Sequence, residues 1–275
     1  MDGVQHQVRR REIRIPLARA NASGWLQCRD SQCDAPTNRQ LPMHTIALKE
    51  CNVETGLFRI APSRFTRAIR VRPSVVSITP YPDGDREEIA RFIEIAYRTH
   101  YGARIVVHYP NLVSLREPGG QIVAAAGFRL AAREPLFLER YTAAPVERLL
   151  NVPREEIVEI GNLASGGGGA SIFLFMALAS YLDTIHARHA VITGTSSLKR
   201  RLSVLGLEPR TICSADAARA GDDGGAWGRY YDSQPSVETG DVQLACKRLR
   251  SLFGSDFFKH RPRLSPRLYF DTGAP

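Results

Sequence analysis

Glu159 lies between two β-branched residues, Val158 and Ile160, and the chain then runs through Asn162, Leu163, Ala164 and Ser165 into Gly166, Gly167, Gly168 and Gly169. Strand alternation places Glu159 on the opposite face from its two neighbours. A glycine run lets the backbone turn tightly and gathers its N–H groups, and the apolar stretch from about Ser171 predicts a helix. A helix N-terminus preceded by exposed amides suits a phosphate or pyrophosphate. The pattern therefore offers a proton acceptor followed by a cradle for a phosphate-bearing cofactor, with Asn162 through Gly169 as its lining. The same glycines also fit a plain flexible connector. No Lys-Ser or Lys-Thr pair follows them, which excludes a P-loop, and poly-Gly meets GxGxxG only trivially, which disfavours a classical dinucleotide fold.

Other residues could join this chemistry. Arg129 stands two residues beyond Gly127, on the same face of a predicted strand, and that glycine marks a bulge or a close backbone approach. Trp227, Tyr230 and Tyr231 cluster in a glycine-flanked loop, where aromatics lock a loop to a core or offer phenol hydroxyls to a site. Glu139 and Arg140 read as an ordinary ion pair. His186 and His189, near a helix end, fit a solvated terminus better than a metal site, so no metal is expected.

The bulk properties narrow the class. A chain of 275 residues, 43% hydrophobic, can bury a sizeable core. No apolar run approaches a membrane span, since Asp183 interrupts the longest, and the charged N-terminus lacks a secretory h-region; a cytoplasmic protein is the expectation. Five cysteines without a CxxC pair argue for reduced thiols. The formal charge of +9 is concentrated at Arg9–Arg11, Arg64–Arg72 and Lys247–Arg267. Such ends would serve peripheral contact with anionic lipid or an acidic protein; no nucleic-acid motif accompanies them.

The elements that must position these residues follow in order. Residues 1–64 read as disordered or loosely packed, with Met43 as an alternative start, and residues 246–275 as a basic tail. Between them, 65–245 form the expected domain. A strand is predicted at Val75–Ile78. Asp85 with Glu88 forms a capping box for a helix whose buried face is Ile89, Phe92, Ile93, Ala96 and Tyr97. Leu112–Arg116 and Gln121–Leu130 make a hairpin around Pro-Gly-Gly, and a short helix spans about Pro145–Leu150. After the Glu159 strand and its helix come a strand at AVITGT and a helix striped by Leu198, Leu202 and Leu205, stopping at Gly206, with Lys199, Arg200 and Arg201 facing solvent or an acidic partner. This order predicts an α/β (α+β) fold, a mixed sheet flanked by helices, and it resembles the GNAT acyltransferase fold.

At EPLFLERYTAAPVERLL, IVEIGNLAS and WGRYYDSQPSVETGDV the chain resembles the thermostable hemolysin family, over about residues 65–245. That family is similar in layout to the acyl-homoserine-lactone synthases. In those synthases a WELSR-type strand carries a catalytic glutamate, and VEIGN stands in its place, so the resemblance assigns that role to Glu159. The synthases' arginine in a G-x-R-L context matches Arg129 in GFRL. Their second arginine is Asn162 here, and their acidic pair is replaced by the region HYPNL. The resemblance thus implies an acyltransferase using an acyl thioester, on acyl carrier protein or coenzyme A, with a small-molecule acceptor other than that of the synthases. The thioester would lie in a splayed gap between the strands at Gly127–Leu130 and Ile157–Asn162, with amides of Leu163 and Ala164 as an oxyanion hole and Tyr230 or Tyr231 protonating the leaving thiolate. Two rival readings stand beside it. One is a membrane-active haemolysin-type protein using the helix Ile172–Leu182 on lipid. The other is a non-catalytic acyl-carrier-binding module, with Lys199–Arg201 and the C-terminal tail as its contacts.

Overall fold

The computed structural model describes residues 43–62, 66, 69–221 and 226–259. All of these belong to one compact unit. Its frame is a ten-stranded mixed sheet in the order β10-β2-β1-β3-β4-β5-β6-β7-β9-β8. The strands are β1 His44–Glu50, β2 Val53–Ile60, β3 Val75–Pro80, β4 Asn111–Arg116, β5 Ile122–Leu130, β6 Ile157–Ser165, β7 His189–Gly194, β8 Arg210–Ser214, β9 Ser236–Asp241 and β10 Ser255–Lys259. Only the β1–β3 and β6–β7 neighbours run parallel. The helices are α1 Arg86–Tyr101, α2 Val146–Leu150, α3 Ala170–Thr184, α4 Ser196–Val204 and α5 Val242–Phe253.

The sheet is covered on both faces, as a mixed α/β layer requires. Val113, Leu115, Phe128 and Val158 face a core shared with α3 and α5. Leu112, Ile122, Ala125 and Ala164 face α1 and the aromatics Tyr97, Tyr109 and Tyr230. Ile157 and Val191 look to that second side, toward Leu136, Leu138 and Tyr141. Helix α3 is buried at nearly every position from Ala170 to Leu182, so it is an internal helix rather than one with a lipid-facing stripe. Among the described residues no helix is long and apolar enough to cross a membrane.

Four expectations need correction. Residues 44–60 are not loose: Ile46, Leu48, Phe58 and Ile60 alternate into the core, and β1 and β2 pair across a turn in which Cys51 and Asn52 are both left-handed. That geometry belongs to a two-residue hairpin, which usually announces itself by Asn-Gly or Asp-Gly; Cys-Asn hid it. The supposed basic tail begins inside α5, whose Val242, Cys246, Leu249 and Phe253 form a buried stripe and whose N-terminus is capped by Asp241. β10 follows and pairs with β2, while residues 1–42 and 260–275 lie outside the described residues. The capping box at α1 does not form: Asp85 makes no side-chain cap, and Glu88 instead pairs with Arg116 at 2.7 Å. Finally, Lys199 does not face solvent alone, since its ammonium lies 3.2 Å from the buried carboxylate of Glu238; Arg200 and Arg201 are exposed.

Candidate active site

β5 and β6 set Arg129 directly opposite Glu159. Its guanidinium Nε lies 3.4 Å from Glu159 Oε2, and Nη1 donates to Glu134 Oε2 and to the Pro135 carbonyl, each at 3.3 Å. Glu159 is only 1% exposed. Its Oε2 accepts the Phe137 N–H at 2.8 Å, its Oε1 accepts the Leu138 N–H at 3.1 Å, and the Tyr109 hydroxyl is a further hydrogen-bond partner. Burial raises the carboxyl above its ordinary value, while Arg129, the two amides and Tyr109 pull it back down. Arg129 therefore favours the ionised form of Glu159.

The turn that donates those amides, Phe137–Arg140, is anchored by Glu139. Its carboxylate accepts the Leu136 N–H at 3.0 Å and the Val146 N–H at 3.2 Å, and it pairs with Arg154 at 2.6 Å. The expected Glu139–Arg140 pair is thus replaced by Glu139–Arg154, and the Arg140 guanidinium stacks on Phe137 at 3.9 Å. The Arg154 hydrogen bonds depress Glu139 to about 2, from an ordinary 4.5. A depressed carboxyl stabilises the fold above its unfolded value and loses that contribution as pH falls through the folded one. Glu139→Gln should therefore cost about 1–3 kcal/mol at neutral pH. Urea titrations of the two proteins should converge as the pH approaches 2; a gap independent of pH would contradict this anchor.

Tyr109 was not among the expected site residues, and it is the centre of the arrangement. In the extended segment 103–109 the alternate residues Ala103, Ile105, Val107 and Tyr109 point inward. A Cβ on Gly161 would lie 2.0 Å from the Tyr109 hydroxyl oxygen, and one on Gly127 would lie 2.5 Å from Tyr109 Cβ. Both glycines are thus clearances for one phenol ring, and Gly127 is the close approach its sequence position suggested. Arg129 covers the ring at 4.5 Å. The sequence signal that could have exposed Tyr109 is the pairing of Gly127 with Gly161 across β5 and β6, which leaves a ring-sized vacancy on that face.

The thioester gap expected between β5 and β6 is absent, because their ladder is continuous from Leu130–Val158 to Gly127–Gly161. The strands that part are β6 and β7, whose register ends at Ile160–Ile192. The cause is local. Asn162 adopts φ 50°, and Asn162 and Leu163 form a bulge that has no register partner on β5 or β7. Ala164 and Ser165 rejoin β5 opposite Ala125 and Ala124.

At this divergence the two faces of the sheet differ. One holds a cavity of about 110 Å³ bordered by His108, Tyr109, Arg129, Phe137, Asn162 and Trp227. Beside it is a void of about 20 Å³ that reaches Gly161, Thr193 and Tyr230. The other face opens an apolar pocket of about 400 Å³ whose walls include Ile160, Leu163, Leu178, Ile192 and Leu249. Tyr230 is in the small void and donates its hydroxyl to the Thr193 carbonyl at 3.2 Å; Tyr231 instead meets Tyr141 hydroxyl to hydroxyl at 2.6 Å. Burial holds the Tyr230 phenol well above its ordinary value.

The glycine turn is a built feature. Gly167, Gly168 and Gly169 have φ of 94°, 61° and 90°, a succession open in practice only to glycine. Gly166 N–H is committed to the Val123 carbonyl, and the Gly168 carbonyl accepts from Arg70 N–H at 2.9 Å, so the basic segment around Arg70 sits against the turn. α3 begins at the next residue, without a side-chain cap. Along an extended strand Gly166 is roughly 20 Å from Glu159, so carboxylate and turn would address opposite ends of a long ligand. Among the described residues no three His, Cys, Asp or Glu side chains gather to hold a metal ion.

The chain is similar to several solved proteins. The CoA-dependent acyl-homoserine lactone synthase MesI is 16% identical, with a TM-score of 0.45 over 65% of this chain and 95% of its own. The AHL synthase LasI is 13% identical, with a TM-score of 0.46 over 68% and 98%. FeeM, an N-acyl amino acid synthase from uncultured soil microbes, is 15% identical, with a TM-score of 0.46 over 65% and 94%. No curated protein matches the sequence. The family model described as thermostable hemolysin matches residues 81–246, more than half of the 275 residues, and the chain belongs to the thermostable hemolysin family.

Proposed function

We propose that the protein is an acyltransferase that moves a fatty acyl group from a thioester to an amine or hydroxyl. The observation that carries this reading is the parting of β6 from β7 at Asn162, with a cavity bordered by His108, Arg129 and Asn162 on one face, an apolar pocket on the other and a glycine turn at the strand's end. A thioester carbonyl at Asn162–Leu163 would have the Leu163 amide as its oxyanion donor, the Ala164 amide being directed at Ala125 in the β5–β6 ladder. Its acyl chain would lie in the apolar pocket and its pantetheine arm would run toward Gly166–Gly169. The acceptor would approach from the cavity bordered by Tyr109, Arg129 and Asn162, with Glu159 as the ultimate proton acceptor and Tyr230 beside the departing sulfur.

Phosphopantetheine on a carrier protein and coenzyme A share this chemistry. The exposed Arg200 and Arg201 would suit the acidic carrier. The lipid-binding reading loses its main element, because α3 is enclosed on both sides by β-sheet and α5. Purified protein should release free thiol from acyl-CoA or acyl carrier protein only when an acceptor is added, and faster with long than with short chains, with the acylated product identified by mass spectrometry. Saturable thioester binding without thiol release, across a panel of amines and alcohols, would instead make the protein a carrier-binding module. Vesicle leakage without thioester turnover would restore the membrane-active reading.

A further inference from the structure

We propose that Tyr109, which no sequence motif assigns, is the catalytic residue that meets the acceptor's proton, and that Glu159 acts only through it; this rests on the acyl-transfer reading above. Glu159 borders none of the cavities at the divergence, and its oxygens are taken by Phe137, Leu138, Arg129 and Tyr109. No acceptor can touch it without dismantling that shell. Tyr109 borders both the cavity and the small void and is hydrogen-bonded to Glu159 at its hydroxyl. Among the described residues it is therefore the hydroxyl that both borders the cavity and meets the carboxylate.

The surroundings fix the ring for that position. Gly127 and Gly161 clear the space on one side, the Arg129 guanidinium lies on the ring, and Arg86 donates to the Tyr109 and Pro110 carbonyls, pinning the backbone. Burial and the neighbouring carboxylate keep the phenol well above its ordinary value, so it holds its proton at rest. A phenol that stays neutral is suited to passing a proton rather than keeping one.

As the acceptor's lone pair forms the new bond to the thioester carbon, its proton moves to Tyr109 Oη while the Tyr109 proton moves to a Glu159 oxygen. Collapse of the tetrahedral intermediate breaks the C–S bond and leaves the electron pair on sulfur. Glu159 then returns its proton by the same route, Tyr109 protonates the thiolate, and both side chains are restored. The net change is acyl thioester plus H–X to acyl–X plus thiol.

A buried tyrosine that merely satisfies a carboxylate would show the same contacts, so the test must read proton transfer. In the full chain, Tyr109→Phe keeps the ring and removes the hydroxyl. The expected result is a fall in kcat of about 100-fold or more, with the thioester KM within about threefold, since the pocket walls remain. Incorporating a fluorinated tyrosine at 109 preserves shape and makes the phenol more acidic, lowering its pKa. It should change kcat and shift the pH–rate profile while leaving the circular dichroism spectrum and melting temperature as in wild type. Wild-type turnover with undiminished kcat in Tyr109→Phe, or with a fluorotyrosine profile identical to wild type, overturns the relay and leaves the acyltransferase standing. Should Tyr109→Phe not fold, the fluorotyrosine protein decides alone. Absence of wild-type turnover with every thioester overturns both.

Discussion

Glu159→Gln is expected to reduce kcat for acyl transfer by about 10²–10⁴-fold. Gln preserves the volume and one acceptor for the Phe137 or Leu138 amide, but it cannot take a proton. Arg129 would lose its partner across the ladder and keep Glu134 at 3.3 Å, so a stability loss of about 1–3 kcal/mol accompanies the change. The pH dependence separates chemistry from stability. Burial raises this carboxyl above 4.5, so the wild-type rate should climb with pH through a midpoint above that value as Glu159 ionises, and the limb should vanish in the Gln protein. Stability runs the other way. A raised carboxyl contributes its stabilisation below the unfolded value and loses it as pH rises through the folded one. Initial rates across pH, alongside melting temperatures, check this; an unchanged acid limb in Glu159→Gln would show that another group titrates.

Gly161→Ala should be nearly as damaging although it adds one methyl group. The new Cβ would stand 2.0 Å from the Tyr109 hydroxyl oxygen and 2.5 Å from Cζ, and the ring cannot retreat freely because it is buried, with the Arg129 guanidinium over its face at 4.5 Å. Either the phenol leaves Glu159 or β6 shifts, at a cost of about 1–3 kcal/mol, and the relay is broken in both cases. A double-mutant cycle makes the cause explicit. In a Tyr109→Ala background the added methyl should cost almost nothing in denaturation midpoint, since the ring it strikes is gone. A full cost in that background would mean Gly161 is required for something other than Tyr109.

Much of the frame could be read from residue patterns. Apolar runs joined by a Pro-Gly-Gly turn located β4 and β5, alternation around Glu159 located β6, and the stripes of Ile89, Ile93 and Tyr97 and of Leu198 and Leu202 located α1 and α4. The roles of Glu159 and Arg129 came from the resemblance to the acyl-homoserine-lactone synthases, and their direct pairing across β5 and β6 replaces the gap expected there. What stayed hidden depended on contacts distant in sequence. Tyr109 meets Glu159 across fifty positions of chain, and its only trace is two glycines whose missing side chains make sense once β5 and β6 are paired. The β6–β7 divergence depends on the left-handed Asn162, a conformation a sequence does not print. Arg154 replaced Arg140 beside Glu139 because a turn, not sequence adjacency, decides which guanidinium arrives. The β1–β2 hairpin lacked the usual turn residues, so a charged, Pro-interrupted neighbourhood masked two well-buried strands.

The central claim is that an activated acyl group occupies the divergence at Asn162. A crystal structure with a non-hydrolysable thioester analogue of a long-chain acyl-CoA tests it most directly. The account predicts the carbonyl oxygen against the Leu163 amide, the alkyl chain among Ile160, Leu178 and Ile192, and the phosphates at Gly167–Gly169. An analogue bound elsewhere on the protein, with these residues untouched, would contradict it.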